Sequence, residues 1–72
     1  MLGEQAAIVL EAKPFDLHGV TYTDVTVKFD GAEAADNARL GPEAVPEGLQ
    51  AGERVLAMRA ANMIVSLRRA DG

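Results

Sequence analysis

Hydrophobic and polar positions in this chain alternate over short stretches and are interrupted often by Gly and Pro, a pattern of strands and turns. The clearest stretch is Val20 to Asp30. Val25, Val27 and Phe29 fall on one side, Thr26 and Lys28 on the other, and Thr21, Tyr22 and Thr23 add strand-favouring residues upstream. Val20 and Tyr22 lie on the opposite parity, so a bulge near Thr23-Asp24 is expected to restore the register and kink the strand. Before it, Ala6 to Ala12 is a brief apolar run whose length and lack of helical period predict a strand buried on both faces. Pro14 to Gly19 reads as a loop, with Gly19 free to take positive φ.

Asp30-Gly31 is a two-residue hairpin signal that would set Phe29 opposite Ala32, Lys28 opposite Glu33 and Val27 opposite Ala34. The competing reading is a capping box over Asp30 to Glu33 with a helix over Ala32 to Leu40; the strand is preferred here. Gly41 to Gly52 carries two prolines and three glycines and predicts a connector with a helical turn at Pro42 to Val45.

Glu53 to Arg69 reads as a second hairpin with Ala61-Asn62 at its tip. Ala60–Met63, Met58–Val65 and Leu56–Leu67 would share the inward face. Arg59–Ile64, Ala57–Ser66 and Val55–Arg68 would share the outward one. A helix is the alternative, with Leu56, Ala60, Met63 and Leu67 on one stripe and Arg59, Asn62, Ser66 and Arg69 on another. It lacks a Ser, Thr, Asp or Asn cap and crowds Met63-Ile64-Val65 onto three sides, so the hairpin is adopted.

The resulting order is strand, loop, long bent strand, turn, strand, connector, strand, strand. In that order, and in the Gly52-Glu53-Arg54-Val55 entry to the fourth strand, the chain resembles the OB-fold superfamily and similar small barrels. The expected fold is all-β, a five-stranded OB-like Greek-key barrel in a single domain over 1–72; the alternative is α+β, with a β-hairpin and a C-terminal helix over 53–69. In an OB-like barrel the resemblance implies a ligand face on strands two and three: Tyr22, Thr26, Lys28 and Arg39, with Phe15, His18, Arg59 and Asn62 at the rim.

Composition narrows the function classes. At 72 residues, 49% hydrophobic and 25% charged, the chain is ordinary globular material. A domain this small buries only about 60% of its unfolded surface, and with no Cys it has no disulfide or thiolate metal site. The thirteen alanines thin the core further. No apolar run reaches the roughly 18 residues of a membrane span, and Met1 to Gln5 lacks the basic start of a signal peptide, so a soluble cytoplasmic location is expected.

The net charge of -4 is uneven: residues 1–50 hold three bases against nine acids, and residues 51–72 hold four arginines against two acids. The acidic part disfavours nucleic-acid backbones. The arginines either balance it or form a local anion site.

Candidate chemistry is sparse. Ser66 is the single serine and His18 the single histidine, and neither has the partners of an activated nucleophile or base. Asp16, His18 and Asp24 lack the spacing of a dedicated metal site. No Gly-rich phosphate loop is present, so neither enzymatic activity nor a cofactor is expected. Phe29 shares parity with core valines, which leaves Phe15 and Tyr22 as the aromatics for a ligand. The leading expectation is a non-enzymatic binding module that engages a protein partner or self-associates, since an interface would supplement a thin core. The alternative is an OB-type binder of single-stranded nucleic acid or nucleotide.

Overall fold

The computed structural model describes residues 2–70; Met1, Asp71 and Gly72 lie outside the described residues. Its strands are β1 (Leu2–Leu17), β2 (Val20–Phe29), β3 (Asp36–Leu40), β4 (Arg54–Ala60) and β5 (Met63–Arg69). They form one antiparallel sheet in the order β3-β2-β1-β4-β5. Among the described residues the helical content is a single 3-10 turn, Pro42–Ala44, where proline's fixed φ suits the first position. The helix considered for 53–69 is therefore not formed; two strands occupy it. The edge strands β3 and β5 curl towards each other without a shared ladder, so the sheet is not closed. No helix among the described residues is long and apolar enough to cross a membrane.

β1 organises the sheet, pairing with β2 on one side and with β4 on the other. Its 16 residues would extend about 53 Å if straight, yet the molecule's longest dimension is 36 Å. The strand must bend. It does so where Val9 pairs with Val27 and Glu11 with Thr26, leaving Leu10 as an extra residue. The kink expected at Thr23-Asp24 of β2 is thus on the partner strand. Either strand can absorb the change of parity, and the alternation within one strand does not say which.

Pro14 does not end β1; it pairs with Thr23. The turn is His18-Gly19 alone, with φ of 53° and 80°, the two positive values of a type I′ hairpin turn. Leu17 and Val20 flank it as a hydrogen-bonded pair, and pairs alternate outward from there. Pro14–Thr23 then falls in the non-bonded class, so the missing N–H faces the edge that β4 leaves uncovered beyond Ile8.

The Asp30-Gly31 turn behaves differently. Ala32 N–H donates to the Phe29 carbonyl (3.0 Å), but only Gly31 has positive φ, +82°. A turn of that kind splays the strands it joins. Pairing resumes at Val27–Asp36, two residues beyond the expected Val27–Ala34 and on the same parity.

In the β4–β5 hairpin Ala60–Met63 and Arg59–Ile64 pair as expected. Val65 is then an extra residue, and the register becomes Met58–Ser66, Ala57–Leu67 and Val55–Arg69. Val55, Ala57 and Leu67 are buried, and Ile64 packs against them, whereas Met63 and Val65 are exposed. The expected placement of Met63 and Val65 inward and Ile64 outward is reversed. Both parities of β4 are apolar, so its neighbour decides. Ala7, buried against Phe29 on one side, faces Val55 on the other.

The core is compact and dry. Val9, Val25, Val27 and Val55 are its fully buried centre, with Phe29, Leu40 and Leu49 around them and no buried polar residue among the described ones. The two bulge residues, Leu10 and Val65, are among the exposed large apolar side chains, because an extra residue leaves the pleat and turns outward.

Candidate binding surfaces on the β1–β2 arm

Beyond Ile8 on β1 and before Thr23 on β2 no further strand among the described residues pairs with either edge, so the end of this hairpin forms a two-stranded arm. Because successive side chains point to opposite faces, the arm presents two surfaces of different chemistry.

The outer face carries Phe15, Leu17, Val20 and Tyr22. Phe15 is directly opposite Tyr22 and Leu17 opposite Val20. The two rings stack with centroids 5.9 Å apart and planes 25° from parallel, and Leu17 and Val20 remain 46% and 39% exposed. Arg39, on β3, lays its guanidinium 4.6 Å from the Phe15 ring centre and donates to Asp24 on β2 (3.0 Å). That charged hydrogen bond raises the Arg39 pKa above its ordinary range.

The inner face of the arm carries Pro14, Thr21 and Thr23. Together with Pro42, Val45, Pro46 and Leu49 of the connector they border a cleft of about 510 Å³. The Thr21 hydroxyl donates to Asp16 (2.6 Å) across the ladder. Asp16 and Asp24 therefore lie on opposite faces, and among the described residues no cluster of His, Asp and Glu could hold a metal ion.

The residues expected to form a ligand face are only partly gathered. Tyr22, Thr26 and Lys28 share the outer face of β2, and Arg39 joins them from β3. Asn37, opposite Thr26, donates to its hydroxyl (3.1 Å). Lys28 lies about 20 Å along the strand from Tyr22, bonded to the Ala32 carbonyl. Phe15 belongs to the ring stack, and His18 sits exposed in the turn at the arm's tip. Asn62 borders a depression of about 300 Å³ shared with Asp36, Arg39 and Met63 across the β3–β5 gap. Arg59 is elsewhere: it covers the inner end of the sheet, 4.7 Å from the Phe29 ring centre, with Nη1 donating to Gln5 (2.8 Å).

The remaining arginines hold the sheet to itself. Arg54 bonds Asp30 (2.6 Å), Arg68 bonds both Glu4 oxygens (2.8 and 3.0 Å), and Arg69 bonds Glu53 (2.7 Å) and the Glu47 carbonyl (3.0 Å). The bond from Arg68 lowers the Glu4 pKa, and Arg69 together with the Gln50 N–H lowers that of Glu53. Arg54–Asp30 and Arg68–Glu4 thus pair the two unevenly charged parts of the chain, while Arg69–Glu53 is a pair within the second part.

Leu17, Val20, Thr21, Thr23 and the connector prolines were not among the expected site residues. Reading Pro14 to Gly19 as a loop hid them, although Phe15 and Leu17 mirror Tyr22 and Val20 about His18-Gly19, which is a hairpin pattern. No protein-family model, curated protein or solved structure matches this chain.

Proposed function

We propose that this chain is a small non-enzymatic binding module, an incompletely closed OB-like barrel, that engages a protein surface through the outer face of its β1–β2 arm. A second copy of the chain is the first partner to test. One observation carries the reading: two cross-strand pairs, Phe15–Tyr22 and Leu17–Val20, leave a contiguous apolar face on an arm that no other strand among the described residues flanks. A chain with four fully buried valines at its centre gains from covering that face, and apolar patches of this kind mark interaction sites.

Light scattering across low to high micromolar concentration tests the proposal. Association should appear with concentration and vanish in the Leu17→Lys, Val20→Lys double variant, whose melting temperature should match that of the native chain only at concentrations where the native chain is monomeric. A monodisperse monomer of high thermal stability that is insensitive to the double substitution would remove the motive.

The column of Arg39, Phe15 and Tyr22 supports a second reading, an OB-type surface on which nucleic-acid bases stack. The Asp24 partner of Arg39 and the acidic net charge weigh against it. Fluorescence anisotropy with single-stranded DNA and RNA at low salt decides; dissociation constants weaker than about 0.1 mM sink this reading.

A further inference from the structure

We propose that the cleft on the inner face of the arm binds a neutral, largely apolar small molecule that carries a single hydroxyl group. Its volume, about 510 Å³, lies within the range of roughly 300–1,000 Å³ usual for organic ligand sites. Pro14 from β1 and Pro42 and Pro46 from the connector supply the walls, and Val45 and Leu49 connect them to the core. Proline rings have little conformational freedom to lose, so this apolar surface is in place before a ligand arrives.

The charges around the cleft favour a neutral occupant. Among the described residues the lining holds no Lys, Arg or His, so an anion would give up its water and gain no partner. The arginines of the adjoining depression are engaged elsewhere: Arg68 bonds Glu4, and Arg69 bonds Glu53 and the Glu47 carbonyl. The single lining carboxylate, Glu47, stands at the exposed rim, where a pair with a bound cation stays hydrated and is worth little.

The polar anchor is Thr23. It is half-buried between its strand partners Pro14 and Leu40, and no described residue bonds its hydroxyl. Thr21 gives its own proton to Asp16 (2.6 Å), which does not line the cleft, so its oxygen remains only as an acceptor. A ligand hydroxyl, which both donates and accepts, satisfies either threonine. A ketone satisfies Thr23 alone, and a hydrocarbon leaves both unpaired. This surface is independent of the outer one, since Phe15, Leu17, Val20 and Tyr22 point away from it.

The test is amide chemical-shift titration of the full chain with three probes of one shape: cyclohexylmethanol, cyclohexanecarboxylate and cyclohexylmethylammonium. The alcohol should give saturable shifts at Thr21, Thr23 and Leu49 and bind more tightly than either ion. Thr23→Val, which keeps the outline of the side chain, should weaken the alcohol about three- to tenfold, the scale of one hydrogen bond. Thr23→Ser, which keeps the hydroxyl, should retain most of the affinity, and the Leu17→Lys, Val20→Lys variant should bind the alcohol unchanged. Absence of saturable shifts up to the solubility of the alcohol, or equal or tighter binding of either ion, would overturn the proposal. So would indifference to Thr23→Val, an equal loss in Thr23→Ser, or loss of binding in the outer-face variant.

Discussion

β2 contains three valines that meet different fates. Val25 and Val27 are fully buried in the body of the sheet, while Val20, on the arm, is 39% exposed. All three sit in the same strand with the same backbone geometry. The difference begins with the face: Val25 and Val27 point to the inner side, over which the sheet curls, whereas Val20 points to the outer side, on a stretch where β2 has β1 alone. Burial in so small a protein is a property of place in the sheet, and an apolar side chain outside the curl stays available to a partner.

Substitutions with one chemistry can break that comparison. Val27→Asp puts a carboxylate in the dry centre and should cost at least about 4 kcal/mol, enough to unfold a domain of this size at 25 °C. Val20→Asp should stay within about 0.5 kcal/mol. Circular-dichroism melts of the two variants read the contrast directly; similar losses would mean the arm is folded into the body.

The turns sharpen it. Ala61 holds φ of 56° at the β4–β5 tip, where the arm's turn has Gly19 and a histidine at its two positive-φ positions. A left-handed conformation costs an L-residue roughly 1–2 kcal/mol, so Ala61→Gly should raise the melting temperature by about 4–8 °C. No gain would show that the tip relaxes in solution.

Val65 tests the bulge within the body itself. As the extra residue of β5 it is 41% exposed, and Val65→Asp should change stability by no more than about 0.5 kcal/mol. A loss comparable to that of Val27→Asp would restore the unbulged register.

The smallest effect is electrostatic and belongs to the body. Glu4 and Glu53 have folded pKa values below their ordinary range because Arg68 and Arg69 bond the charged forms. Their contribution is present above the unfolded value, about 4.3, and is lost as pH falls through the lower folded values. Urea midpoints should therefore decline shallowly below about pH 4.3. Glu4→Gln with Glu53→Gln should flatten that decline.

The alternation of Val25, Val27 and Phe29 was enough to place the core strand, the Pro/Gly connector was legible from turn chemistry, and the final hairpin was legible from the absence of a helix cap and the crowding of Met63-Ile64-Val65 on three sides of a helix. The two bulges were not. Leu10 and Val65 sit in runs where neighbouring residues of both parities are apolar, so nothing in either strand marks which residue leaves the ladder; the partner strand settles it. Pro14 misled for a related reason. Proline removes one donor, and whether that matters depends on which edge the donor would have faced. The candidate surfaces inherit these errors: Tyr22 and Phe15 were recognised as available aromatics, but Leu17 and Val20 became visible only once the arm was known to continue to His18.

β1 belongs to two ladders, and they form on different clocks. Against β2 it closes across two residues, an event of about 1–10 μs for a hairpin. Against β4 the partners lie roughly 50 residues apart, which makes that ladder the slow one. On the ribosome, at about 5–20 residues per second, Ala6 to Ile8 waits about 3–10 s for its second partner. Through that interval an apolar edge is open, and Pro14 lies too far along β1 to shield it. Pulse-labelled hydrogen exchange during refolding should protect the Tyr22 and Asp24 amides, which face β1, before that of Val55, and the interval between them measures how long the nascent edge stands exposed to other chains.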